Sequence, residues 1–513
     1  MQENLKLVLE ILFVAALVGV VAKRLKVHYN VALVLAGVLV GLARLAPGVG
    51  LHPEIVLQVF LPILLFEAAI STHFGRLRAN LAPVVLLSGP GLLASVFVAG
   101  AVLRATLGLP WNLALLLASM LAATDTIAVI ASFRKVRAPS RLTTIVENDS
   151  LFNDGTALVA FAAILDVVER GRFDPVAGIA ELGWVVGVAL LAGSALGYAT
   201  SLLMHRTEDH LIELMLTVVV TYGSSVVASA LHASPVLAVV AAGITVGTFG
   251  WNGLGATSKV AIRSFWEVAA FGVNSVVFLL IGLQIDFAAL VGAAPAIGWG
   301  LVAVVAGRAA AVYPFLALLR WRGERVPWSW QHLLMWSNLK GSLSMAMALS
   351  LPAFVPRREL LTTVVFGCAL VTLTVQGLTL ARVARWLGLG RAGDAERKLE
   401  EERGRLVAAR AGQQELDRMQ RMGLLPLGVF QRLRASYQGV IARSEKQLRD
   451  LLVAHSAEEA RQSMVVRQRL LAVEKSAIKD AANSGMLSEE TAAQLAAEID
   501  RSLAETGEDE GRG

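Results

Sequence analysis

Thirteen stretches of this chain are apolar over lengths approaching the roughly 20 residues that a helix needs to cross a bilayer. Read from hydropathy and turn punctuation, they fall near 5–22, 30–46, 53–70, 82–105, 111–133, 141–168, 176–204, 210–231, 234–249, 260–283, 287–319, 327–351 and 359–386. In hydrocarbon every backbone N–H and C=O must be bonded internally, and a helix does that within one segment. The expected fold is an all-α polytopic membrane protein with about 13 transmembrane helices. The start, MQENLKLVLE, lacks the basic opening and small-residue cleavage site of a signal peptide, so the first apolar run is expected to stay as a span. The single cysteine, Cys368, lies inside an apolar segment and excludes an internal disulfide.

Lysine and arginine gather in every second connection: Lys23, Arg24 and Lys26; Arg76 and Arg78; Arg134, Lys135, Arg137 and Arg141; Arg320, Arg322 and Arg325. The positive-inside rule then puts the N-terminus outside and the C-terminus in the cytoplasm. Loops of this kind account for the net charge of +6. No interleaving of aromatic and basic residues marks a nucleic-acid surface, so the expected surroundings are membrane lipids.

An odd span count in this orientation points to two inverted repeats, spans 1 to 6 and spans 8 to 13, joined by span 7. Span 5 carries ATDTIAV and its counterpart, span 12, carries NLKGSLSMAMALSLP; both interrupt an apolar run with polar residues. Paired interrupted helices mark a binding site near the midplane.

From about Gly388 the chain turns charged, with DAERKLEEERGRLVAARAGQQELDRMQ. The division is 1–388 for the membrane part and 389–513 for a helical cytoplasmic domain. Its stretch LGVFQRLRASYQGVIARSEKQLRDLLV places apolar residues at helical spacing, and Ser488 before Glu489 and Glu490 reads as a helix N-cap. Two readings stay open, a solvated tail with a packing role and a regulatory module.

Within span 6 the sequence VENDSLFNDGTALV sets several acids inside a lipid-facing protein, where each carboxylate at the bilayer centre costs about 2.5–3.5 kcal/mol. Ser150 and Asp154 are four residues apart and share a helix face; Asp149 and Asn153 share a neighbouring one. Carboxylate plus hydroxyl is a hard oxygen set, suited to a small monovalent cation rather than to zinc or copper. A bound cation offsets the insertion cost, and so does a proton. Asp125 lies mid-span between Thr124 and Thr126, whose hydroxyls and carbonyls add oxygens where the helix unwinds; the alternative is a helix breaker satisfied by nearby backbone. Asp149 is expected to pair with the intramembrane Arg308, since a buried ion pair lets a membrane tolerate both. Glu67 in LPILLFEAAI is a lone acid, read either as structural or as an outer water or ion contact. Lys340 is expected to neutralise half-helix dipoles at the break in span 12 or to face a carboxylate. Glu10, Glu54, Glu147, Asp166, Glu213, Glu267 and Asp286 are taken as interfacial or structural, and His205, His210 and His232 sit at loop edges.

DSLFNDG in span 6, TDT in span 5, LLFEAA in span 3, GRAAAVY in span 11 and NLKGSLSMAMALSLP in span 12, in that arrangement, resemble the monovalent cation/proton antiporters of the NhaP and NHE type (sodium/hydrogen exchangers). The resemblance covers residues 1 to about 388. It implies a thirteen-helix fold with crossed, partly unwound spans 5 and 12, a homodimer, and an elevator-like alternation of a core against a dimerisation domain. It implies that Asp154 carries the ion or the proton, that Asp125, Ser150 and the backbone near Thr124 complete the shell of a Na⁺, and that Asn153 and Glu67 lie beside it. Arg308 would pair with the acid that opens the span-6 motif. Three positions depart from the family: Asp149 stands where Glu is usual, Thr126 where Pro is usual, and NLKG where GLRG is usual. The shorter Asp149 must approach Arg308 more closely or through water, and loss of the proline removes one device for unwinding span 5.

The expected activity is antiport of Na⁺, or Li⁺, against H⁺, electroneutral at one for one, by competition at Asp154, with pH homeostasis of the cell as the setting. No cofactor is expected, and the chain is not read as an enzyme, because no metal-ligand cluster or nucleophile with an adjacent base is present. Exchange of K⁺ for H⁺ on the same fold, and a non-transporting membrane sensor, are the alternatives.

Overall fold

The structure, a computed structural model, describes residues 13–22, 24, 29–42, 53–171, 175–207, 209–284, 287–321, 326–422, 425–453 and 494, and holds no strand among them. Glu10, Lys23, Lys26, Asp286, Arg322, Arg325 and the cap read at Ser488 lie outside the described residues. The chain divides into two units, Met1–Gly393 and Asp394–Gly513.

In the first unit the helices run α1 (Phe13–Ala22), α2 (Tyr29–Leu42), α3 (Val56–Ile70), α4 (Phe74–Ala79), α5 (Leu81–Leu107), α6 (Trp111–Met120) and α7 (Ile127–Val136). They continue with α8 (Ser140–Arg170), α9 (Pro175–Met204), α10 (His210–Ala230), α11 (Pro235–Gly250), α12 (Ala256–Gln284), α13 (Phe287–Gly292) and α14 (Ala294–Trp321). The last are α15 (Trp328–Trp336), α16 (Ser342–Leu349) and α17 (Arg358–Trp386). Seven helices among the described residues are long and apolar enough to cross a membrane, and five more apolar ones are shorter. Among the described residues the protein is all-helical, with spans that suit a membrane. Its outer faces carry exposed Phe97, Leu191 and Val268, side chains that suit contact with acyl chains.

Two of the apolar stretches are not continuous. Residues 121–126 separate α6 from α7, and 337–341 separate α15 from α16. Elsewhere the helices pack through small residues: a Cβ on Gly37 of α2 would lie 2.2 Å from the Leu279 carbonyl of α12, so only glycine permits that backbone approach. Tyr29 strengthens the same seam, its ring stacked on Phe271 at 4.9 Å and its hydroxyl 2.8 Å from Ser275 Oγ.

The second unit, described as far as Val453, contains the greater part of α18 (Leu389–Arg421) and α19 (Leu427–Val453), an antiparallel pair. Arg410 bonds Glu445 at 2.8 Å, and Gly412 leaves room for the Tyr437 ring. Glu402 is buried and meets Arg405 at 2.7 Å.

Candidate ion site at the paired helix breaks

Where α6 stops, three successive carbonyls lose their helical partners. Side chains from α8, the second break and α16 replace them. Asn153 Nδ2 donates to the Ala122 carbonyl at 3.1 Å, Lys340 Nζ and Ser344 Oγ to that of Ala123 at 3.3 and 3.4 Å, and Ser150 Oγ to that of Thr124 at 2.7 Å. The Asp125 N–H then donates to the Leu339 carbonyl at 2.8 Å, so the two breaks are joined to each other. Span 5 therefore unwinds without the proline that the resemblance leads one to expect, because its freed backbone is capped by side chains on α8, at the second break and on α16. Gly341 is required there, since a Cβ on it would lie 2.5 Å from Asp125 Cβ.

A cavity of about 680 Å³, measured out to its mouth, lies against this junction. Asp154, Ser150, Thr124, Asp125, Thr126 and Glu67 all line it, together with Glu147, Asn274 and Ser344. The Asp154 carboxylate accepts the Thr124 N–H at 3.3 Å, its one hydrogen bond among the described residues. Ser150 Oγ gives its proton to the Thr124 carbonyl and accepts from Thr124 Oγ1 at 3.1 Å, so it stays an oxygen donor toward a cation.

The two polar stripes of α8 part at this point. Ser150 and Asp154 face the large cavity, whereas Asn153 lines a second, smaller one of about 340 Å³ with Arg308, Asn338 and Lys340. Asn153 also donates to Thr124 Oγ1 at 3.1 Å, so the structure gives it a bracing position behind the unwound segment. Asp149 meets Arg308 directly, Nη2 to Oδ2 at 2.6 Å, with both side chains buried; the shorter acid is reached without a bridging water. Arg308 Nε also donates to the Leu334 carbonyl at 3.3 Å, which ties the pair to the end of α15. Lys340 is 1% exposed and has no carboxylate within ion-pair distance among the described residues. Its ammonium donates to Asn338 Oδ1 at 2.7 Å and to the Ala123 carbonyl. The half-helix terminus that it serves is thus that of α6, across the junction from its own segment.

Glu147, Asn274, Ser342 and Ser344 are polar wall residues that the sequence reading did not assign to the site. For Glu147 the signal was present, since it stands three and seven residues before Ser150 and Asp154 on one face of α8. Asn274 showed only as a lone amide in an apolar run. Of the other acids left aside, Asp166 pairs with Arg170 at 2.7 Å and Glu213 is buried near the start of α10. His205 Nε2 lies 3.0 Å from the Phe249 carbonyl at a loop, and His232 takes a left-handed φ of 52°.

The model of the family described as "Sodium/hydrogen exchanger, transmembrane" matches residues 11–386. The chain belongs to the sodium/hydrogen exchanger family. The Na(+)/H(+) antiporter NhaS2 of Synechocystis is 39% identical to it over 488 residues, 94% of this chain and 89% of that protein. The Na(+)/H(+) antiporter NhaG of Bacillus atrophaeus is 31% identical over 501 residues, 94% of each chain. The sodium proton antiporter MjNhaP1 of Methanocaldococcus jannaschii, solved at pH 8, superposes with a TM-score of 0.64 at 19% identity, over 75% of this chain and 99% of that one. Membership of the sodium/hydrogen exchangers thus extends beyond the short motifs to residues 11–386.

Proposed function

We infer that this chain is a Na⁺/H⁺ antiporter that works by competition at Asp154. The observation that carries the reading is the state of that carboxylate: it faces the cavity with a single long hydrogen bond, while the carbonyls around it are already bonded to side chains. Its remaining lone pairs are free for either a cation or a proton. A bare carboxylate in a membrane interior is costly, so the core crosses readily only when Asp154 is occupied. Na⁺ would take oxygens from Asp154, Asp125, Ser150 and Thr124, with Glu67 in contact through water, and Li⁺ would fit the same hard donors.

One-for-one exchange is the simplest outcome of such competition, since swapping one Na⁺ for one H⁺ at the single exchanging carboxylate of Asp154 moves no net charge. Electroneutral exchange follows. Asp125 and Lys340 sit on the two joined breaks, which move as one body in an elevator-type alternation, within a homodimer and with thirteen spans in two inverted repeats. On this reading the N-terminus is outside, the C-terminus is cytoplasmic in the cell membrane, and residues 389–513 form a regulatory helical domain. Antiport of K⁺ on the same fold remains the second reading, because the site's oxygens are equally compatible with the larger ion.

The test is collapse of an imposed pH gradient in proteoliposomes on addition of Na⁺, Li⁺ or K⁺ in turn. Na⁺-driven proton movement that vanishes in Asp154→Asn supports the reading. A response to K⁺ alone selects the second one, and a protein with no cation-driven response is no antiporter.

A further inference from the structure

We propose that Asn274 is a specificity-determining residue of the cation path, its carboxamide oxygen holding the partly dehydrated alkali cation in the cavity before transfer to Asp154. The inference rests on the antiport reading above and adds a contact from an element outside the junction that carries Asp154.

Asn274 lies in α12 within the run VNSVVFLLIG, where every neighbour except Ser275 is apolar or glycine. It is 6% exposed and lines the large cavity. Among the described residues its side chain makes no hydrogen bond to protein, whereas Ser275 beside it is fully engaged with the Phe271 carbonyl at 2.6 Å and with the Tyr29 hydroxyl. A buried amide left without a protein partner is costly, so an asparagine placed here must find its partner in the cavity itself. That partner is water or the ion.

The rest of this wall is poor in oxygen. Leu61, Leu64, Leu65 and Ala68 of α3 contribute carbon, and Glu67 supplies the other polar side chain from the same side. A neutral amide oxygen next to one carboxylate suits a monovalent cation that keeps part of its hydration shell. The α12 platform is also firm: α2 is locked against it by the Gly37 contact and the Tyr29 stack. Asn274 thereby fixes how far from Asp154 a hydrated cation can wait, and ions of different radius are sorted at that distance.

The experiment compares wild type with Asn274→Leu, Asn274→Ala and Asn274→Ser in proteoliposomes, reading KM and Vmax for Na⁺ and Li⁺ from pH-gradient collapse, with thermal unfolding in detergent as the folding control. Removal of one polar contact predicts a rise in the Na⁺ KM of about fivefold in Leu and Ala. The loss should fall on KM more than on Vmax, the Na⁺ to Li⁺ ratio should change, and Ser, which keeps an oxygen, should recover part of the affinity. If Leu does not fold, Ala and Ser decide. Unchanged KM in Ala, or an equal rise in Ala and Ser, overturns the assignment of Asn274 while the antiport reading stands. Absence of exchange in wild type overturns both.

Discussion

The backbone N–H of Asp125 donates to the carbonyl of Leu339 at 2.8 Å, and that bond joins two interrupted helices drawn from opposite halves of the membrane unit. It ties the acid nearest the break in one stretch to the segment that presents Lys340 in the other. The geometry of the site is therefore a property of the junction, and substitutions there should act on both halves together.

Gly341→Ala tests that junction. Its added methyl would stand 2.5 Å from Asp125 Cβ, too close for either segment to keep its place. Overpacking of this kind costs about 1–3 kcal/mol. We expect loss of most exchange together with a lower unfolding temperature, read by the transport assay and by scanning fluorimetry.

Arg308→Leu should be strongly destabilising, because it leaves the Asp149 carboxylate buried at an apolar position with no cation. Breaking a buried pair from one side costs about 3–5 kcal/mol. The double variant Asp149→Leu with Arg308→Leu should recover folded yield in detergent more than either single change. Recovery of yield without recovery of transport would mean that the pair also sets the second break through the Leu334 carbonyl.

Lys340→Met removes the ammonium from the Ala123 and Asn338 oxygens. Ser344 remains on the Ala123 carbonyl, so the expected loss is moderate, about 1–3 kcal/mol. Because the charge moved per cycle is set by what exchanges at Asp154, the slower exchange of this variant should still generate no membrane potential, as read with a voltage-sensitive dye.

Thr126→Pro installs the residue that the resemblance leads one to expect at this position. Thr126 stands at the start of α7, where a proline's missing N–H and fixed φ are tolerated. Asp125 before it is already outside helical structure, so the restriction that proline places on its predecessor costs little. We expect exchange within about twofold of wild type, since side-chain caps already hold the break open.

Much of this was legible in the sequence because the membrane leaves few options. Each of the thirteen apolar stretches contains helix among its described residues, and the polar interruptions at ATDTIAV and NLKGSL fall where the chain leaves the helix. What could not be read was which polar group meets which. The four-residue spacing placed Ser150 with Asp154, but whether Asn153 faced the ion or the backbone depended on the unwound segment lying against α8, a tertiary fact. Lys340 likewise reaches the terminus of α6, not of its own half-helix, because the two breaks lie side by side, joined by the bond from Asp125 to Leu339. Span 5 was read as running to residue 133, whereas α7 continues to Val136, and Arg137 ends it with a left-handed φ of 53°; apolar content alone does not mark such a stop. Asn274 was passed over since it is unremarkable locally and matters only through the cavity that it lines, whereas Glu147 could have been found from its spacing to Ser150 and Asp154.

Competition between cation and proton for one carboxylate is tested most directly by the Na⁺ KM of reconstituted protein as a function of pH. The account predicts that KM rises toward tenfold per unit as pH falls through the range where Asp154 takes up its proton, with Vmax preserved at saturating Na⁺ and no exchange in Asp154→Asn. A KM that stays level while Vmax falls, or exchange that persists in Asp154→Asn, would contradict it.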